Sequence, residues 1–134
     1  MQITMKNSIF ILLPLIFLFS CKKENEPPPE LLGKWDLHYI EHIIYDQGTY
    51  NTWTDTISVN PKTFEFRNDW SLLCNRFFPN CPGRFKLSEN NTRLDIWFDC
   101  NTATPYYTIL YISSDSLVLQ KDGGVGIDKE IYLK

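Results

Sequence analysis

The sequence predicts an all-β domain, an antiparallel up-and-down meander of eight or nine strands closing into a small barrel, and three observations carry that expectation. Apolar and polar residues alternate with period two over nearly all of the chain after "LLGKW", the pattern of half-buried strands. Asn, Asp, Ser, Gly and Pro interrupt the alternation at short intervals, and these are the residues of tight turns. No segment carries a convincing helical period beyond a candidate turn at 30–33. Short strands joined in chain order pair antiparallel, and a meander of this length removes its two open edges by closing.

The first element is not part of the domain. Lys6 supplies a positive start, "SIFILLPLIFLFS" (8–20) is an uncharged apolar run, and "LFSC" (18–21) places a small residue directly before a cysteine. The run is too short to cross a hydrocarbon core, which takes roughly 20 residues, so it reads as a removed secretory signal. Met5 is a candidate true start. These 21 residues resemble a bacterial lipoprotein signal, which implies lipidation of Cys21 and cleavage before it. Residues 21–30 then read as the lipidated cysteine and a charged, proline-stiffened tether, "KKENEPPPE", that holds the domain off a membrane. A charged stretch at this place also resembles the export signals of surface lipoproteins in the Bacteroidetes. The expected address is the cell envelope, lipid-anchored, at the outer membrane.

Of the 134 residues, removal of the first 20 leaves 114, and loss of Lys6 leaves 12 bases against 16 acids. This is the size of one domain, at 31–134. A mildly acidic chain without a basic cluster points away from nucleic acid, whose phosphates are bound by Lys and Arg. Four Trp, seven Tyr and nine Phe supply a compact core rather than a disordered segment.

Within the domain the expected strands are 34–45, 52–59, 63–67, 70–74, 83–88, 93–100, 106–112, 116–121 and 130–133. One hairpin is fixed by its own pattern. In "RFKLSENNTRLDIWFDC" a turn at Asn90 and Asn91, residues that tolerate positive φ, opposes Leu87 to Leu94, Phe85 to Ile96, Gly83 to Phe98 and Cys81 to Cys100 on one face. The other face opposes Lys86 to Asp95 and Arg84 to Trp97, an ion pair and a cation over a ring. A slip by one residue would oppose core to solvent. A turn at Ser114 and Asp115 likewise opposes Ile112 to Leu117 and Leu110 to Leu119.

The register bears on the cysteines. A secreted domain lies where disulfides persist, and directly opposed residues have Cα atoms close enough for one. Cys81–Cys100 is therefore the expected bridge, with Cys74 free and buried. The rival is Cys74–Cys81, which would close "CNRFFPNC". The spacings lack the paired-cysteine knuckle of a zinc site.

The opening "LLGKWDL" resembles the lipocalin signature, a Gly-x-Trp (Gly33, Lys34, Trp35) on the first strand. "TFEFRNDWS", "GRFKLSENNTRLDIWF" and "YYTILYISSDSLVL" resemble the lipocalin-like domains of Bacteroidetes lipoproteins. The resemblance implies a lipocalin-like barrel with Trp35 plugging its closed end, although the last strand carries no arginine to stack on that ring. It also implies a small apolar or amphipathic ligand. The candidate ligand-lining residues are Trp35, Leu37, Tyr39, Phe64, Phe66, Phe85, Leu87, Ile96 and Phe98. A barrel of eight strands either fills with side chains or holds one small ligand. The other reading is a filled barrel acting as an accessory protein for an envelope partner, with Trp53, Trp97, Tyr106 and "NRFFPN" at its surface.

One motif competes. "HYIEH" (38–42) matches the H-x-x-E-H of inverted zinc peptidases, which works on a helix. Here it lies in "WDLHYIEHIIY", rich in aromatic and β-branched residues. Strand alternation places Trp35, Leu37, Tyr39, Glu41, Ile43 and Tyr45 on one face and His38 and His42 on the other. No metal site follows. "DGGVG" lacks the lysine and helix of a phosphate loop and reads as a hairpin loop. No catalytic constellation and no cofactor is implied, and the chain reads as a binding protein rather than an enzyme.

Overall fold

The computed structural model describes residues 26–57 and 62–134. The signal, Cys21, the first part of the tether and the end of the expected second strand lie outside the described residues. Nine strands follow one another: β1 (Gly33–Asp46), β2 (Thr49–Thr56), β3 (Thr63–Phe66), β4 (Ser71–Cys74), β5 (Cys81–Ser88), β6 (Arg93–Phe98), β7 (Tyr106–Ile112), β8 (Ser116–Gly123) and β9 (Gly126–Leu133). All pairings are antiparallel, and β1 pairing with β9 closes eight of the strands into a barrel.

The ninth strand departs from a simple meander. The barrel order is β1-β3-β4-β5-β6-β7-β8-β9, and β2 stands outside it, paired among the described residues with β1 alone. The cause is length. At about 3.3 Å per residue, the 14 residues of β1 reach about 46 Å, far beyond the four residues of β3. The first part, Gly33–Asp36, pairs with β3, while Tyr39–Asp46 pairs with β2. A two-residue turn at Gln47 and Gly48, both at positive φ, folds β2 back at Thr49, three residues before the sequence-based start. Such a turn matches the twist of the strands it joins.

The Asn90–Asn91 hairpin has the expected register from Gly83↔Phe98 to Ser88↔Arg93. Both asparagines are at positive φ, and the Thr92 amide donates to the Glu89 carbonyl across them at 3.2 Å. Gly83 is required there, because a Cβ would run into the Trp97 carbonyl on the facing strand. On the outer face Lys86 opposes Asp95 and Arg84 opposes Trp97 as expected, but the side chains take other partners. Asp95 accepts from Arg93 Nε at 3.0 Å rather than from Lys86, and the stacked cation is Arg93 over Tyr106, at 4.4 Å, rather than Arg84 over Trp97.

Two bulges correct the alternation. On β7 the register shifts between Ile109 and Tyr111, so Ile109 faces Leu119 and Leu110 turns to solvent, while Ile112 still faces Leu117. On β1 the register against β9 shifts between Leu37 and Tyr39. An extra residue in one strand exchanges the faces of everything beyond it. Leu37 therefore points inward opposite Tyr132, but Ile40 takes the inward place expected of Tyr39 and packs against the core opposite Glu130.

The closed end is built around Trp35, fully buried, whose indole N–H donates to the Leu31 carbonyl at 2.7 Å. Leu31 is itself buried and sits in the turn that the prolines start, with its amide donating to the Pro28 carbonyl. Lys134, one residue past β9, lays its Nζ over the Trp35 ring at 4.4 Å and donates to the Glu30 carbonyl. A lysine thus supplies the cation that no arginine on the last strand provides.

Candidate functional site

Eight of the nine residues expected to line a ligand space are core or packed on the core. Trp35, Leu37, Phe64, Phe66, Phe85, Ile96 and Phe98 are buried, and Leu87 packs against them half-buried. The rings meet each other: Phe66 to Phe85 at 5.0 Å and Phe64 to Tyr132 at 5.6 Å between centroids. Tyr39 is excluded by the β1 bulge. A barrel of this strand number is filled by side chains of this size, and here the aromatic residues are the filling.

Above them lies a polar layer that the sequence did not announce. The loop between β4 and β5 sends Arg76 into the barrel, where its side chain is 9% exposed against 1% for that of Glu130 on β9. Arg76 Nη2 donates to Glu130 Oε1 at 2.5 Å, and Nη1 donates to Glu130 Oε2, making the pair two-pronged. Nη1 also reaches the hydroxyls of Tyr132, at 2.9 Å, and Tyr107, at 3.2 Å. Tyr132 in turn donates to Glu130 Oε2 at 2.8 Å. Burial opposes the charge on Arg76, but Tyr132, Glu130 and Tyr107 outweigh it and hold its pKa above the ordinary value. Burial, reinforced by the Glu130 charge, pushes both tyrosine hydroxyls up. A buried charge is tolerable only when paired and hydrogen-bonded in this way. The available signal was parity: Glu130 alternates with Tyr132 on the inward face of a short strand.

Beyond this layer lies the mouth. An open, mainly apolar recess of about 380 Å³ is lined by Phe77, Phe78, Phe98, Lys121 and the segment Ala103–Pro105. Phe98 is the single member of the expected lining set that borders it. The recess is held between two loops, 75–80 and 99–105, that the disulfide ties together at their bases. Cys81 and Cys100 are bonded with Cα atoms 6.0 Å apart, and Cys74 is free and buried, as the hairpin register indicated. Cys74 nevertheless lies directly opposite Cys81 on the β4–β5 ladder. Phe77 separates the recess from the polar layer, with Phe98 against its edge at 5.8 Å and the Arg76 guanidinium over its ring at 4.6 Å. A second, shallower recess at the β8–β9 tip is lined by Gly123–Ile127, Tyr45, Gln120 and Asp122.

The rim is charged. Register places Lys121 on β8 opposite Asp128 on β9, and Asp128 opposite His42 on β1. His42 Nδ1 lies 2.7 Å from Asp128 Oδ1 and its Nε2 lies 3.1 Å from Asp55 Oδ2 on β2. Its ring stacks on Trp53 at 4.9 Å. His38 is exposed and falls at the bulge, so the two histidines of HYIEH point to opposite sides of the sheet. The expectation that they share one face is corrected. It is this separation, rather than the separation of histidines from Glu41, that dismantles the motif.

No protein-family model matches this sequence, and no curated protein matches it. A solved structure does: a lipocalin-like protein from Bacteroides uniformis ATCC 8492, with 18% identity and a TM-score of 0.51, covering 78% of this chain and 98% of that one. With the closed antiparallel barrel and its extra strand, this likeness places the chain's fold as a lipocalin-like barrel.

Proposed function

We propose that this chain is a membrane-tethered, non-enzymatic lipoprotein of the cell envelope that binds a small apolar or amphipathic molecule at the mouth of its barrel. The carrying observation is the apolar recess of about 380 Å³. Its size lies within the range of small-molecule sites, and it stands on the disulfide-tied loops rather than inside the filled barrel. The tether rests on sequence alone, on the lipobox ending at Cys21 and the charged, proline-rich stretch after it. Anchoring at the outer membrane fits both.

A specific observation also favours the accessory reading. The rings of Tyr45 and Tyr50 meet in a tilted contact, 5.0 Å between centroids, on the β1–β2 arm while 60% and 71% exposed. An exposed aromatic pair beside a β2 edge that is unpaired among the described residues suits a protein partner.

The test has two arms. Cys21→Ala should move the protein out of the membrane fraction, with precursor size read beside it, because lasting attachment needs the acyl anchor; unchanged mature mass in membranes would end the lipoprotein reading. A neutral naphthylamine probe should bind saturably, one per chain, and Phe98→Ala should abolish that binding. Failure of any apolar probe to bind the native chain would leave the accessory reading in place.

A further inference from the structure

We infer that the mouth recess selects compact anionic amphiphiles, such as small aromatic or short-chain carboxylates, with Lys121 taking the anion. This rests on the proposed ligand-binding reading and adds a head group and a size limit to it. The head group follows from what is left unpaired at the rim. Lys121 lies on the inward face, lines the recess, and makes no ion pair among the described residues. The acid directly opposite it on the ladder is Asp128. That carboxylate is engaged by His42 Nδ1 at 2.7 Å, and the neighbouring Asp122 accepts from Gln120 at 3.1 Å. An ammonium bordering three phenylalanines, with the opposed Asp128 held by His42 instead of paired to it, meets an anion in surroundings drier than water, where the attraction is stronger.

The size limit follows from the floor. An acyl chain entering the mouth meets Phe77, then the buried Arg76–Glu130 pair with its two tyrosine hydroxyls, then packed rings. An alkyl tail cannot pass that layer without unpairing a buried charge. A longer tail is therefore kept out of the interior, and stays in water where it exceeds the open recess. At roughly 30 Å³ per water-sized group, its 380 Å³ holds about a dozen non-hydrogen atoms. This excludes long-chain lipids as ligands of the interior.

The experiment uses the full lipidated chain in zwitterionic nanodiscs, with empty discs subtracted, and titrates it calorimetrically with 1-naphthoate, 1-naphthalenemethanol and palmitate. Naphthoate should bind roughly five- to tenfold more tightly than the alcohol, the range of one partly screened ion pair. Lys121→Met should erase that difference, so that naphthoate and the alcohol bind alike, and palmitate should bind no better than naphthoate. Equal binding of naphthoate and alcohol to the native chain, or a difference that survives Lys121→Met, would overturn the head-group inference with the ligand-binding reading intact. Palmitate binding tenfold above naphthoate would overturn the size limit. If no probe binds the native chain, the ligand-binding reading fails and this inference falls with it.

Discussion

Replacing Arg76 by methionine tests the polar layer most directly. The substitution keeps much of the apolar stem and deletes the guanidinium, leaving Glu130, 1% exposed, with the Tyr132 hydroxyl as its remaining donor. Breaking a buried pair from one side costs about 3–5 kcal/mol, since the orphaned charge stays desolvated. Against a total stability of about 5–15 kcal/mol, that is about 30% or more for a domain in the lower half of the range. At about 4–8 °C per kcal/mol for a domain near 100 residues, the midpoint should fall by at least about 12 °C. Glu130→Leu should cost a similar amount by stranding Arg76. The double variant, Arg76→Met with Glu130→Leu, should recover most of both losses, because replacing a buried pair by apolar groups is often neutral or stabilising. Urea unfolding followed by tryptophan fluorescence gives all four corners of the cycle and the coupling energy. A loss below about 1 kcal/mol in Arg76→Met at unchanged denaturant slope would show that the pair is solvated, and the closed floor assigned to the recess would go with it.

The disulfide predicts an asymmetry between its two halves. Cys81→Ser leaves Cys74 and Cys100 without a directly opposed partner, and should lose the chain-entropy stabilisation of a loop of about 20 residues, on the order of 3 kcal/mol. Cys100→Ser leaves Cys74 directly opposite Cys81, and non-reducing peptide mapping should find those two joined in part of the sample; equal destabilisation with no such peptide would refute the placement. The alkaline limb of stability should report on Tyr107 and Tyr132, whose hydroxyls are pushed up in the folded state by burial and then by Glu130. Unfolded tyrosines ionise near pH 10, so the stabilisation is complete below that pH and is lost above it as the unfolded state deprotonates first. Tyr107→Phe should flatten the fall in midpoint between pH 10 and 11 and leave the folded-state tyrosinate absorbance at pH 11 unchanged; a drop in that absorbance would mean that the hydroxyl already titrates in the native barrel.

What could be read from the sequence was whatever a local period fixes. The Asn90–Asn91 hairpin was legible to the residue because six pairs had to agree with one turn, and the Cys81–Cys100 bridge followed from that register. The face of Tyr39 was not legible. A bulge costs one unpaired residue and is favourable only against the particular partner strand, here β9, whose Ile131 lies 92 positions after Tyr39 (131 − 39). The outward displacement of β2 was hidden for a related reason: period two reports that a segment is a strand but not which edge of β1 it will take. Lys134 over Trp35 was missed because only an arginine on the last strand was sought, whereas the cation comes from the lysine just after it.

The question with the largest consequence for function was whether the inward aromatics wall a cavity or fill the barrel, and alternation alone left both open. Inward alternation says that a side chain leaves water, and burial of Phe64, Phe66 and Phe85 satisfies it equally well when they pack on one another. The distinction turns on residues that alternation marks as anomalies. Glu130 at an inward position and Arg76 between a cysteine and two phenylalanines each carry a charge into a place where charges are costly, and one neutralises the other. Their meeting closes the barrel at mid-height, and the apolar surface left over, Phe77, Phe78 and Phe98, belongs to the mouth. A barrel sealed in this way leaves its rim as the place for a ligand, and under the proposed reading selectivity would be set by the loops held at Cys81 and Cys100 and by Lys121, whose opposed acid, Asp128, is hydrogen-bonded to His42.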